Sequence, residues 1–240
     1  MKNTNKNTQM IILCGGKGKR MGALSKKIPK AMIKLGNKTL IEHKLEHYRS
    51  QGIKKIIYCL GYKSKTLKKF LLKKKKFGIF DNAGLNAGIL KRIFSVKHLI
   101  KKDTIISYGD TLAKIKFKKL LLNHKKSKCL LTLVVAPIQN PFGIVKWNNK
   151  RLANGFDEKP ILNHFIGYAV ISPKFFNSLK NNIINMKDGH GLVKAINIYI
   201  KKRKVNVFTF GDLQITVNSP DDLNKAKTTF KKYFTFNESL

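Results

Sequence analysis

The chain has 240 residues, 42% hydrophobic and 10% aromatic, the composition of a globular protein with a sizeable core and not of a disordered one. Fifty Lys and Arg stand against 12 Asp and Glu, a formal charge of +38. That excess suits an anionic partner such as nucleic acid, but it is mostly lysine and spread along the whole chain, in runs such as Lys73 to Lys76 and Lys201 to Lys204 at helix ends. A lysine-rich solvated surface accounts for it better than a dedicated nucleic-acid groove. Cys14, Cys59 and Cys129 lie far apart inside apolar runs, without CxxC or Cys/His spacing, so neither zinc nor a disulfide framework is expected. They read as small core residues of a reducing compartment. The polar start MKNTNKNTQ lacks the apolar stretch of a signal peptide, and no run approaches the roughly 18 apolar residues of a membrane span. A cytoplasmic location is expected.

Met10 to Cys14 is apolar and predicts a buried strand. It stops at Gly15-Gly16-Lys17-Gly18-Lys19-Arg20-Met21-Gly22, where glycines let backbone N–H groups converge on an anion and three cations add charge. Pro29-Lys30 follows, a lysine behind a stiff proline. The stretch reads as a polyphosphate cradle; a glycine-rich turn with solvated lysines is the alternative.

Further on, Asn37 or Thr39 caps a helix with Leu40, Ile41, Lys44, Leu45 and Tyr48 at helical spacing, ended by Gly52. A strand is predicted over 53–60, a helix from Ser64, a short strand over 77–80, and a helix carrying Ile89, Leu90, Ile93 and Val96. The strand Thr104 to Tyr108 ends in Gly109-Asp110. A helix over 117–124 and a strand over 129–136 follow. Beyond Pro141 come a hairpin (142–147 and 152–156, turning at Asn148-Asn149), Asp157-Glu158-Lys159-Pro160, a strand over 166–171, a helix over 175–184, a strand over 205–210, and a last helix opened by Pro220-Asp221-Asp222. The alternation means a parallel sheet with helices on both faces, whose ligand sits beyond the strand carboxyl ends. There the glycine loop and Asp110 share one crevice. No linker marks a boundary, so 1–240 reads as a single domain, with a nucleotide-binding half over about 9–136 and an acceptor half over about 137–240.

The loop fails the Walker A pattern, because no Ser or Thr follows a Gly-Lys pair, and it fails GxGxxG, because Met21 holds the third glycine's place. What remains is GGxGxRM, then Pro29-Lys30-x-Met32, Tyr108-Gly109-Asp110 and Glu158-Lys159-Pro160. In that order the motifs resemble the sugar-nucleotide nucleotidyltransferases, from Met10 to about Lys227. The resemblance implies a Rossmann-like, GT-A-like α/β fold with a mixed, mostly parallel sheet flanked by helices. It implies a nucleoside triphosphate over Leu13, Cys14, Gly15, Gly16, Lys17, Gly18 and Arg20, with Lys17 and Arg20 at the β- and γ-phosphates and Lys30 at the α-phosphorus. Asp110 would hold Mg²⁺, making Lys30, Arg20 and Asp110 the catalytic set. A phosphate monoester would attack the α-phosphorus and pyrophosphate would leave, with no general base required.

Glu158 and Lys159 resemble the family's EKP turn at the sugar phosphate; a hairpin-end ion pair is the alternative. The chain departs from the family pattern twice. Phe165 stands where an asparagine grips sugar hydroxyls, two residues before Gly167, and Thr216 stands where a second metal-binding Asp is expected. The four acceptor positions are Glu158, Lys159, Phe165 and Gly167, and the metal set is Asp110 with Thr216. Asp81 to Ile93 looks like the DTG…TGGRLKR segment of the glucose-1-phosphate cytidylyltransferase branch, whose YGD matches Tyr108-Gly109-Asp110. That branch implies CTP, with Gly84, Asn86, Tyr108 and Gly109 in the nucleotide set. GTP comes second, because heptose-1-phosphate guanylyltransferases share the CGG loop. The partners implied are CTP or another NTP and a phosphorylated small molecule for surface polysaccharide or glycoconjugate precursors, with a homo-oligomer open. Two other classes compete. A nucleic-acid binder needs basic residues interleaved with exposed aromatics, whereas the aromatics here fall mostly at core-like positions. A metal-dependent glycosyltransferase needs a DxD motif, but Thr111 and Leu112 follow Asp110.

Overall fold

The structure is a computed structural model that describes residues 8–235, with side chains to residue 230. The polar segment at residues 1–7 lies outside the described residues. The first half runs through β1 (Gln9–Leu13), α1 (Ala23–Lys27), β2 (Lys34–Leu35), β3 (Lys38–Thr39), α2 (Leu40–Ser50), β4 (Lys55–Leu60), α3 (Ser64–Lys73), β5 (Ile79–Asn82), α4 (Ile89–Ser95), β6 (Thr104–Tyr108), β7 (Thr111–Ala113) and α5 (Phe117–Ser127). The second continues with β8 (Leu131–Gln139), β9 (Ile144–Trp147), β10 (Ala153–Asp157), β11 (Ile161–Ile171), α6 (Asn181–Ile184), α7 (His190–Lys201), β12 (Val205–Thr209), β13 (Gln214–Thr216) and α8 (Pro220–Thr235).

Seven strands form one sheet in the order β12-β8-β11-β6-β1-β4-β5. All neighbours are parallel except at β11, which runs antiparallel to both β6 and β8. The sheet is therefore mixed and mostly parallel, flanked by helices. Side-chain alternation fills both faces. Met10 and Ile12 of β1 pack with Tyr48 of α2 and Leu67 of α3, whereas Ile11 packs with Ile93 of α4 and Tyr199 of α7. A third apolar cluster joins Met21, Ile33 and Leu35 to Leu112, Ile215 and Val217, fastening the segment after the glycine loop to the small β7–β13 pair.

Local chemistry sets the element starts. Thr39 caps α2 through a reciprocal box, accepting from the Glu42 N–H while Glu42 accepts from the Thr39 N–H. Lys44 keeps the apolar spacing of α2 and is buried with it. Its ammonium donates to the Thr111 carbonyl and, at 2.7 Å, to the Tyr168 hydroxyl, tying the helix to β7 and β11.

Several expected boundaries move. The helix expected over 175–184 is broken: a 3-10 turn spans Pro173–Phe176 and α6 spans Asn181–Ile184, because Phe175 and Phe176 turn into the core before the helix starts. β5 begins two residues late and takes in Asp81 and Asn82, and β8 runs from Leu131, which leaves Cys129 half-buried outside the strand while Cys14 and Cys59 are core residues. β11 starts at Ile161, five residues early, because cross-strand pairing with β8 carries it past its buried part. The aromatics are not all internal. Phe77, Phe142, Trp147 and Phe156 are exposed, the last three on or beside the β9–β10 hairpin.

Candidate active site

The parallel strands β4, β1 and β6 end in register, Cys59 and Tyr108 each paired with Leu13. Pairing continues one residue further: Cys14 N–H donates to the Cys59 carbonyl (2.9 Å) and Gly109 N–H to the Leu13 carbonyl (3.0 Å). The glycine loop and Asp110 thus leave the sheet side by side. Because β11 runs the other way, its beginning comes to the same end and brings His164, Phe165 and Gly167 there. The result is a cleft of about 990 Å³.

The glycine loop turns through Gly18, whose φ of +64° suits glycine and where a Cβ would stand 2.9 Å from the Lys30 side chain. Pro29, extended at φ −61° and ψ 145°, delivers Lys30 into a 3-10 turn whose Ala31 is buried. The Lys30 ammonium donates to Asp110 Oδ2 at 2.8 Å, and both side chains are largely withdrawn from water. It also donates to Asn218 Oδ1 (2.9 Å), which accepts from Arg20 Nη2 as well (3.1 Å). Across the cleft, Lys17 Nζ donates to Asn86 Oδ1 at 3.0 Å and closes the 81–93 segment over the loop.

Beneath the loop lies Arg92. It is 5% exposed and donates to the Leu60 and Leu85 carbonyls. Burial pulls its guanidinium below its ordinary value, while Cys59 and Asp81 act in the opposite sense. Burial, opposed by the Lys44 charge and reinforced by Asp110, pushes the Cys14 thiol up to about 12, so it stays protonated and unreactive at neutral pH. Burial and then Asp110 push the Tyr108 phenol up to about 12 in the same way. Tyr108 meets Phe165 edge-on at 5.7 Å.

The cleft gathers most of the residues expected from the sequence: Leu13 to Gly18, Arg20, Lys30, Asn86, Tyr108 to Asp110, Phe165, Gly167 and Thr216. Gly84, at φ +98°, lies just outside its lining. Glu158 and Lys159 lie outside it too. They are more than half exposed and 3.6 Å apart, an ion pair at the end of the hairpin. Thr216 points its hydroxyl at Thr111 Oγ1 (3.2 Å). Among the described residues no group of three or more His, Cys, Asp or Glu is placed to hold a metal ion.

The nucleotidyl transferase family model matches residues 9–211, a span that takes in the glycine loop, Lys30, Asp110 and β11. The chain belongs to the nucleotidyl transferase family. It is similar to the D-glycero-alpha-D-manno-heptose 1-phosphate guanylyltransferase of Campylobacter jejuni, 28% identical over 222 residues, which cover 89% of this chain and 96% of that protein. It is also similar to the probable glucose-1-phosphate cytidylyltransferase of Bacillus subtilis, 29% identical over 195 residues, 70% of this chain and 76% of that protein. Among solved structures, HddC from Yersinia pseudotuberculosis complexed with GMP-PN shares the fold, with a TM-score of 0.71 and 20% identity over 93% of this chain and 99% of that one.

Sequence reasoning missed several cleft residues of this nucleotidyltransferase. Lys187, Asp188 and Gly189 reach it from the loop before α7. Ile89 N–H donates to the Asp188 carbonyl at 2.7 Å, so that loop buttresses the 81–93 segment. The Asp-Gly pair marks a turn, but nothing local says where the turn docks. Arg92 falls inside the 81–93 segment with no sequence signal for its burial, and Asn218, two residues from Thr216, carries none for its place in the cleft.

Proposed function

We propose that this nucleotidyltransferase transfers CMP from CTP to a phosphorylated small molecule of the sugar 1-phosphate class and releases pyrophosphate. The observation that carries the reading is the Lys30–Asp110 ion pair held where the glycine loop meets the end of β6. Backbone N–H groups of residues 15–18 receive the triphosphate, and Lys17 and Arg20 neutralise its outer charges. Lys30 leaves Asp110 for the α-phosphate, where negative charge grows during in-line attack. The attacking phosphate oxygen is already ionised, so the chain supplies position and fixed charge and no base.

Asp110 fits a Mg²⁺ ion that arrives with the nucleotide, since Mg²⁺ is commonly held by one or two carboxylates together with substrate phosphates. Bound there, it would add charge neutralisation on the phosphates. The Tyr108–Phe165 pair and Gly167 form the acceptor side; a ring at 165 replaces hydrogen bonds to sugar hydroxyls with an apolar wall. Such substrates place the reaction in the cytoplasm.

CTP is favoured by the 81–93 segment and by Tyr108-Gly109-Asp110. GTP with a heptose or hexose 1-phosphate is the second reading, favoured because the heptose 1-phosphate guanylyltransferase relative matches over nearly its whole length. The test is a matrix of the four NTPs against a panel of phosphate monoesters, read as pyrophosphate release. CTP-dependent release with one acceptor supports the first reading, and GTP preference replaces it with the second. No release above the acceptor-free control with any pair overturns both.

A further inference from the structure

Asn218 occupies the centre of the charged cluster. Its Oδ1 accepts from Lys30 Nζ at 2.9 Å and from Arg20 Nη2 at 3.1 Å, so one neutral carbonyl oxygen joins cations that come from two separate turns. Lys30 divides its protons between that oxygen and Asp110 Oδ2. Asn218 is itself fixed. Its N–H donates to Asp222 Oδ2 (2.9 Å), as does the Ser219 N–H (3.0 Å), and Ser219 Oγ accepts from the Asp222 N–H. One residue earlier, the Val217 N–H donates to the Asp110 carbonyl at 3.0 Å. The segment leading into α8 is thus pinned to Asp110 on one side and to the helix start on the other.

The charges of this cluster do not balance. Two cations, Arg20 and Lys30, stand with one carboxylate, Asp110, which pairs with Lys30, and the fourth member is an amide that accepts from both cations. An ammonium resting on Asp110 competes with any divalent cation for the same oxygens. A second acceptor of no charge offers Lys30 another resting place at lower electrostatic cost than a carboxylate would. It also leaves Arg20 free to exchange its partner for phosphate.

We infer that Asn218 is the positioning residue of this site: its carbonyl holds Lys30 and Arg20 in place for phosphate, and its neutrality keeps the empty site from retaining a divalent cation, which enters only with the nucleotide. The phosphate half of this inference rests on the nucleotidyl-transfer reading; the metal half does not.

The experiment uses the full chain, Asn218→Asp and Asn218→Ala. Mn²⁺ alone is titrated onto each nucleotide-free protein and followed by its electron paramagnetic resonance. Asn218→Asp, nearly isosteric, adds a second hard carboxylate and is expected to bind Mn²⁺ about tenfold more tightly than the unaltered chain. In EDTA the same variant is expected to bind CTP or GTP about tenfold more weakly, because its carboxylate holds Arg20 and Lys30. Asn218→Ala is expected to lower kcat about tenfold with an unchanged melting temperature and little change in KM, the pattern of a group that matters in the transition state. Equal Mn²⁺ affinity of the unaltered chain and Asn218→Asp overturns the metal half. Unchanged kcat in Asn218→Ala overturns the positioning half, and if that variant does not fold, unchanged nucleotide affinity of Asn218→Asp in EDTA does so instead. If the unaltered chain releases no pyrophosphate with any NTP, nucleotidyl transfer fails on its own, and the Mn²⁺ and EDTA measurements still decide the inference.

Discussion

Lys30 and Arg92 are two cations of the cleft held in different ways. Lys30 lines the cleft on a long aliphatic stem and has acceptors it can leave. Replacing it by alanine removes the charge that the proposed reaction puts at the α-phosphate; kcat is expected to fall about a hundredfold or more at an unchanged melting temperature, measured by pyrophosphate release. Arg92 cannot leave. A Cβ on Gly61 would clash with its guanidinium, as would one on Gly15 at 2.5 Å, so both glycines leave room for that side chain. Gly61→Ala pushes a hydrogen-bonded, buried guanidinium off its carbonyls and is expected to destabilise the fold by about 1–3 kcal/mol in urea unfolding.

At the scale of elements, β11 shapes the cleft wall that the proposed reaction gives to the acceptor. Its register with β8 shifts between Phe165 and Ala169, and Gly167 sits in that irregularity at φ +78°. A Cβ there would meet the Tyr108 ring at 2.9 Å. Gly167→Ala combines backbone strain with that clash. It is expected to cost about 1–3 kcal/mol and to raise KM for the phosphate acceptor more than for the NTP, as measured by two-substrate kinetics. The start of α2 is simpler. Thr39→Ala removes half of the capping box and is expected to lower stability by about 1 kcal/mol in the same urea assay, with kcat unchanged.

For the whole molecule, acid stability depends in part on a half-buried histidine. Burial pulls His47 down to about 4, against its contact with the Ile115 carbonyl and assisted by the charges of Lys44 and Lys114. The folded state keeps the imidazole neutral while the unfolded chain takes up a proton near its ordinary value of about 6.5. Its contribution is therefore complete above about pH 6.5 and lost as the pH falls toward 4. Urea unfolding between these limits is expected to show falling stability, by up to roughly 1.4 kcal/mol per pH unit, and His47→Gln is expected to flatten that slope. Below pH 4 the loss deepens. Hydrogen bonds at Asp222, and at Glu42 together with Lys74, hold both carboxyls below their ordinary range against the effect of burial.

The strand-and-helix alternation, the glycine loop, Pro29-Lys30 and Tyr108-Gly109-Asp110 could be read directly, because each is a local pattern of apolar period, backbone freedom or stiffness. A cap at Asn37 or Thr39 and Lys44 on the apolar face of α2 were legible for the same reason. The direction of β11 was not, since antiparallel insertion between β6 and β8 depends on what else fills the sheet. Nor was the placement of Glu158 and Lys159, which pair at the end of an exposed hairpin outside the cleft lining. Arg92 and Asn218 had no signature of their own. Sequence alone determined the glycine loop and the cations that flank it, because that requires only residue type and the turn that carries it. Tertiary structure decided which cations share a partner, and that Asn218 and not a second carboxylate stands between Lys30 and Arg20, because 188 residues of chain separate Asn218 from Lys30 and only packing closes that gap.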